Sequence, residues 1–285
     1  MANETEVSNF ALTTDVISDA ISPALVQAPV VAPHIYYEAL PAGTNVKLWR
    51  KAASVTAAEI NESAIVTPQE PSESTVTATV VKLGGTILLT VEAQRVGASQ
   101  GDMVRLLAEA IGRDWDDEII ALFASISNQV TATTTLTIND VLEAAYNVRA
   151  NTAGVSSGPL VGVFDYKGIH EIQKELTGST AAHLSNASEI SLLQGVGANG
   201  YVGEKSGVYF YQTDGLPTSG SDDNALVYDP AITFGGMISP SVETRINFIG
   251  GEGPTRGFAD SINAWIFCDV IEWNDGAGCG ILSDS

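Results

Sequence analysis

Three arrangements in this sequence have the residue types and spacing of known chemistry. Residues 195–200, "GVGANG", match the G-x-G-x-x-G pattern in which backbone N–H groups and a helix N-terminus hold a dinucleotide pyrophosphate. Residues 154–158, "GVSSG", match the G-x-S-x-G elbow that exposes a serine nucleophile, here Ser156. Adjacent carboxylates stand at Asp116–Asp117 and Asp222–Asp223, the residue type for general acid–base work.

Each arrangement needs particular elements around it. A dinucleotide site runs strand, glycine turn, helix. Here "SEISLLQ" before the glycines has helical character and "YVGEKSGVYFYQT" after them reads as turn and strand, so the glycines serve a turn. A nucleophile elbow also runs strand, turn, helix, whereas "GVSSG" follows a helix ending near Ala150 and precedes a strand at Leu160. It reads as a helix C-cap and loop. Adjacent helical residues point about 100° apart, so neither aspartate pair is a ready dyad, and both are read as solvated face or loop tip. His34, His170 and His183 are scattered, and Cys268 and Cys279 form no C-x-x-C, so no metal site is expected and both thiols are expected reduced. The residues thus point to no catalytic centre, no cofactor and no metal.

Composition narrows the classes further. The 285 residues carry 34 acidic against 13 basic side chains, a net charge of −21, which repels phosphate backbones and excludes a direct nucleic-acid reader. Hydrophobic residues make up 45% and charged residues 16%, so apolar surface beyond the needs of one core is expected at an interface. The most apolar early stretch is broken by Pro23, Pro29 and Pro33 and cannot span a bilayer as a helix. No basic start precedes an apolar run, so no signal peptide is read.

The elements that would carry these residues follow from periodicity. Residues 1–45 read as an extended, proline-bearing arm without a core of its own. Residues 46–92 read as strands: Thr75–Val80 alternates with period two, and the polar stretch before it suggests a long hairpin with Ser63–Thr67. At its base Lys47, Arg50 and Lys51 flank Trp49, and Glu59, Glu62, Glu70 and Glu73 follow. This is the chain's one basic cluster, and it suggests ion pairing between neighbouring copies. From residue 102 to 127 Met103, Leu107, Ile111, Trp115, Ile119, Leu122 and Ile126 form one helical stripe, giving a packing spine about 40 Å long, with Ser99 and Asp102 as a capping box. A second helix starts at Thr137 with Asp140. Strands are expected at "GPLVGVFD", "GVYFYQT", "NALVYDP", "VETRINFI" and "INAWIFCDVIEW", and helices at "YKGIHEIQKELTG" and "ASEISLLQ".

This order of elements resembles the major capsid proteins of tailed bacteriophages, the Hong Kong 97-type fold. The resemblance runs from about residue 35 to the end. It is carried by "LPAGTNVKLWR", "KLGGTILLTVEA", "LLAEAIGRDWDDEIIALF", "GVFDYKGIHEIQKEL", "GYVGEKSGVYFYQTDGLP", "NALVYDPAITFGG" and "AWIFCDVIEWNDGAGCGILSDS". It implies an α+β fold with an N-terminal arm (1–45), an extended β-hairpin loop with its lead-in (46–92), a peripheral domain with the spine helix (93–151), an axial domain (152–235), and closing strands of the peripheral domain (236–285). It also implies the function of a shell protein whose copies form pentamers and hexamers of an icosahedral head around double-stranded DNA, in a virion assembled in the bacterial host cytoplasm. The candidate intersubunit contacts are then Lys47, Trp49, Arg50, Lys51, Glu59, Glu62, Glu70 and Glu73. Some members begin with a cleaved scaffolding segment; the start at Met1 is read here as favouring a separate scaffolding protein, with portal and decoration proteins as further partners. Some members cross-link through a lysine of the extended loop, for which Lys47 and Lys51 are the nearest positions. Rival readings are an encapsulin shell, another virion component, and a hydrolytic enzyme using Ser156.

Overall fold

The apolar stripe from Met103 onward forms α1 (Gln100–Ala121), with Met103, Leu107, Ile111, Trp115 and Ile119 buried along it. In 22 residues it extends about 33 Å and then tightens into a 3-10 turn at Leu122–Ser125, so the helix stops short of the expected residue 127. Ile126 is still buried, but on extended backbone. The computed structural model describes residues 29–40, 45–52, 73–90, 100–132, 135–156, 158–177, 200–219, 222–239, 243–249 and 259–284. Ser99 and the expected helix at 187–194 lie outside them.

Against α1 packs a five-stranded sheet built on one long strand. Its members are β1 (Tyr36–Ala39), β4 (Val81–Thr90), β11 (Phe234–Ile238), β12 (Glu243–Ile249) and β13 (Ala259–Glu272). β4 runs along one edge of β13 from Ala259 to Cys268; β12 and then β11 occupy the other edge, and β1 adds to β11 in parallel. The period-two rule sorts the middle of β13. Ile262, Ala264, Ile266 and Cys268 enter the α1 core, while Asn263, Trp265 and Phe267 stand half-buried on the opposite face.

A second sheet runs in the order β5 (Gln129–Thr131), β14 (Gly278–Asp284), β10 (Asp222–Tyr228), β6 (Leu160–Phe164), β8 (Val208–Gln212) and β7 (Tyr201–Lys205), with the short β9 (Thr218–Ser219) also on β10. Its central strands are buried on both faces, which explains the unbroken apolar run of β6. Val161, Val163, Leu226 and Tyr228 join the α1 core. Leu160, Phe164, Ala225 and Val227 join a second core with Ala144 and Val148 of α2 (Ile138–Asn151) and Ile169 and Ile172 of α3 (Tyr166–Thr177). Helix α2 starts as its sequence predicts, with Thr137 and Asp140 in a reciprocal capping box. Glu171 and Glu175 of α3 accept from the N–H groups of Leu136 and Ile138 and fix α3 against that start.

Two placements differ from the sequence reading. The last strand, β14, does not stay with β13: it pairs with β10 over seven residues, so the second sheet takes in β5 and β14, with α2 packed on it, as well as the strands between residues 160 and 228. Alternation marks a strand and its buried face but not its neighbour, and here Cys279 and Ile281 find the second core. The partner of β3 (Glu73–Thr79) is β2 (Val46–Ala52), in register from Val46↔Thr79 to Ala52↔Glu73. Ser63–Thr67, expected in that place, lies outside the described residues.

Candidate functional site

Alternation along β2 divides the expected contact residues into two groups. Lys47, Trp49 and Lys51 face the body of the protein together with Val76 and Ala78 of β3; Val46, Leu48 and Arg50 face outward with Thr75, Thr77 and Glu73. Trp49 is 4% exposed and closes a small core with Ala78, Met237 and Ile271. Its indole meets Tyr36 edge-on at 5.8 Å and Trp273 at 5.3 Å, and it lies so close over Gly235 that a Cβ there would sit 3.2 Å from the ring. Lys47 pairs with Glu38 and lies 4.6 Å over the Trp49 ring, and the Lys51 ammonium donates to Asn274 Oδ1 at 2.6 Å. These three side chains are engaged within their own chain and fasten the base of the hairpin. Arg50 and Glu73 remain exposed on the outward face, 4.0 Å apart. Glu59, Glu62 and Glu70 lie outside the described residues.

The arm is held by a residue that periodicity placed in solvent. Asp116 is 5% exposed, and its carboxylate accepts from three consecutive backbone N–H groups: Val30 at 2.9 Å, Val31 at 2.7 Å and Ala32 at 2.7 Å. It caps the 3-10 turn Ala32–His34, whose orphan donors point at it. Val30, Val31, Ala32 and Ile35 are buried in the α1 core, and Trp115 Nε1 donates to Tyr37 Oη at 2.9 Å. The expectation of a solvated Asp116 is therefore corrected: the acid faces a strap of its own chain. Burial pushes its carboxyl above the ordinary value, with Asp117 adding to the rise and the three N–H bonds opposing it.

Residues 73–275 match the family model described as phage capsid protein, more than half of the chain. The chain belongs to the phage capsid protein family. No curated protein matches it. Among solved structures, the capsid of cyanophage P-SCSP1u aligns with TM-score 0.67 at 10% identity, covering 100% of this chain and 97% of that one. Mycobacterium phage Adephagia aligns with TM-score 0.67 at 10% identity over 100% and 99% of the two chains. The holo encapsulin complex of Synechococcus elongatus PCC 7942 aligns with TM-score 0.60 at 14% identity over 98% and 96%. At these identities the structures establish the fold, which is the Hong Kong 97-type capsid fold.

In this capsid protein the catalytic-looking motifs resolve into backbone geometry. Gly200, the last glycine of residues 195–200, has φ +75° and leads into β7, a strand where a nucleotide site needs a helix. A Cβ there would meet the Gln212 carbonyl oxygen at 2.5 Å, so glycine is required for the chain to pass β8. Gly154, with φ +81°, follows the end of α2, and Ser156 lies in the loop before β6. The Ser156 hydroxyl is buried and has no hydrogen-bond partner among the described residues. Both cysteines are free and buried, and burial pushes the Cys268 thiol up to about 12, so neither is a thiolate at neutral pH. No cluster of three or more histidine, cysteine or acidic side chains that could hold a metal occurs among the described residues. Ser156→Ala is expected to leave assembly intact and to change stability by no more than about 1 kcal/mol, because it removes an unsatisfied hydroxyl. Thermal melting and particle yield check this. Loss of a hydrolytic activity would support the enzyme reading instead.

Proposed function

We propose that this capsid protein is the major shell subunit of a tailed phage, tiling an icosahedral head around double-stranded DNA. The observation that carries the reading is the family match across residues 73–275 on a chain whose described residues take the Hong Kong 97-type capsid fold. Pentamers and hexamers of the chain form the shell through the arm, the loop beyond β2 and β3, and the second sheet, which serves as the axial domain. Arg50 and Glu73, with Glu59, Glu62 and Glu70, face neighbouring copies, while Lys47, Trp49 and Lys51 hold the hairpin base rigid. The net charge of −21 suits a wall that contains DNA without gripping it. A separate scaffolding protein, a portal and a decoration protein are the further partners, and assembly takes place in the bacterial cytoplasm before the protein resides in the virion.

Electron microscopy of the purified protein, alone and co-expressed with a scaffolding protein, is expected to show closed shells. A compact monomer under every condition would overturn the reading. The encapsulin alignment favours a second reading, a compartment loaded with protein. Nuclease-protected DNA inside shells from infected cells supports the phage head; protein cargo without DNA supports the compartment.

A further inference from the structure

The outer face of the first sheet carries an open cleft of ≈ 440 Å³. Trp265 of β13 stands at its centre, and two cations converge on the indole: Lys82 Nζ from β4 lies 4.2 Å from the ring centroid, and the Arg245 guanidinium from β12 lies 5.5 Å from it. The floor opposite Trp265 is Gly84, where a Cβ would come within 2.6 Å of the Ala264 carbonyl oxygen and of Trp265 Cβ. Thr86 donates to Asn263 Oδ1 at 2.7 Å and fixes the wall. The lining is thus a rigid aromatic plate with a cation on either flank.

The charges here are unusual for this chain. Acidic residues outnumber basic ones 34 to 13, yet among the described residues neither Lys82 nor Arg245 has a carboxylate within ion-pair distance. Two like charges held against one ring repel each other, and an anion between them would relieve that repulsion. The acidic chain repels a phosphate backbone, and among the described residues lining the cleft Lys82 and Arg245 are the cations, too few for the multiple contacts that hold DNA. A second copy of the same chain, by contrast, is rich in carboxylates. Between subunits that each carry −21, a contact where negative surface of one meets positive surface of another lowers their repulsion.

We propose that the Lys82–Trp265–Arg245 cleft is an intersubunit socket that receives a carboxylate side chain from a second copy of this chain. The inference rests on the shell reading and adds the place and chemistry of one contact. The contact is heterologous, a cleft on one copy and an acid on the next, so it repeats around rings of subunits. The Trp265 face shields the ion pair from water, and the pair sets register between copies more than it adds affinity.

The test uses particles assembled from a mixture of nitrogen-15-labelled and unlabelled subunits, treated with a zero-length carbodiimide. The expected product joins Lys82 to an aspartate or glutamate in a peptide pair of mixed label, which only two different copies can form. A K82E/R245E variant is expected to keep its melting temperature while the protein concentration needed for assembly at low salt rises about tenfold or more. K82R is expected to assemble as the original chain does. Particles in which Lys82 reacts with an amine reagent as fast as in free subunits would overturn the proposal and leave the shell reading standing. Protection of Lys82 only in DNA-filled particles would also overturn it, assigning the cleft to phosphate. A chain that forms no particles at all overturns the shell reading and this inference with it.

Discussion

Replacing residues 53–72 with a two-residue Asn-Gly turn is expected to leave a folded subunit that no longer closes shells. The register makes the cut possible. Ala52 lies directly across from Glu73, so a tight turn can join β2 to β3 without disturbing any described pair. Trp49, Ala78, Met237 and Ile271 stay packed, as do the contacts of Lys47 with Glu38 and Lys51 with Asn274. Shortening the closed loop from twenty residues to two changes its closure entropy by only about 2 kcal/mol, so melting should shift by a few degrees at most. Particle yield, in contrast, should fall by about a hundredfold or more, because the removed span carries Glu59, Glu62 and Glu70 and the reach to neighbouring copies that the shell reading requires. A cut at residues 60–80, by contrast, would take β3 and strip Ala78 from the Trp49 core. An unfolded variant would mean that residues 53–72 belong to the core. Closed shells from a folded variant would mean that the span is dispensable, and the assignment of intersubunit contacts to it would fail.

What was legible in the sequence is what local periodicity encodes. The α1 stripe appears where 3.6-residue spacing places it, the Thr137 capping box where its Ser/Thr-x-x-acid pattern does, and β6 where an unbroken short apolar run does. The pairing of β4 with β13 joins residues 169 to 187 positions apart, and the pairing of β14 with β10 in the second sheet joins residues 50 to 62 apart. No window along the chain contains either fact. Asp116 illustrates a subtler loss. Read as one of four acids on the flank of the helix it belongs in water, yet its own row is Gly112, Asp116 and Ile120, a small residue and a large apolar one at i−4 and i+4. That row is the groove along which the arm runs: a Cβ on Gly112 would meet Pro29 Cγ at 3.9 Å, and Ile120 is 2% exposed. An acid between a glycine and a buried isoleucine was the available signal, and only the N–H groups of the arm give it a reason. Among the contact residues, types and spacing located the hairpin base, but the side chain of Trp49 turned out to face its own chain, since face depends on which strand β2 pairs with.

The second large effect follows from that groove. Asp116→Ala removes the shared acceptor of Val30, Val31 and Ala32, residues between 0% and 9% exposed, and each buried donor left without a partner costs about 1–3 kcal/mol. The arm has an escape, because residues 29–35 can lift off α1 and give those donors to water, so the loss is capped at the free energy that docks the strap. Opening of about 3 kcal/mol corresponds to a rise of roughly a hundredfold in protease cleavage within residues 29–35, with the rest of the α1 core in place and β1 still paired to β11. Asp116→Asn keeps one oxygen for Val31 and Ala32 but turns an amide donor toward the Val30 N–H, so a rise nearer tenfold is expected. Acidity acts in the opposite sense to these variants. The folded chain holds the Asp116 proton above the ordinary value of 3.8, so folding binds that proton more tightly than the unfolded chain does. The stability contributed by this shift is full below the unfolded value and is lost as pH rises through the raised folded one. Lowering pH from neutral toward 4 should therefore slow cleavage of the strap in the original chain, relative to a control substrate, and the asparagine variant should lose that slope. Cleavage that accelerates on acidification would show that the docked arm favours the ionised carboxylate and that the three N–H bonds outweigh burial; an alanine variant cut no faster than the original would show that the carboxylate does not hold the arm. The same assay bears on assembly: an arm that lifts from α1 exposes Val30, Val31 and Ile35, and such a subunit should aggregate in preference to closing shells.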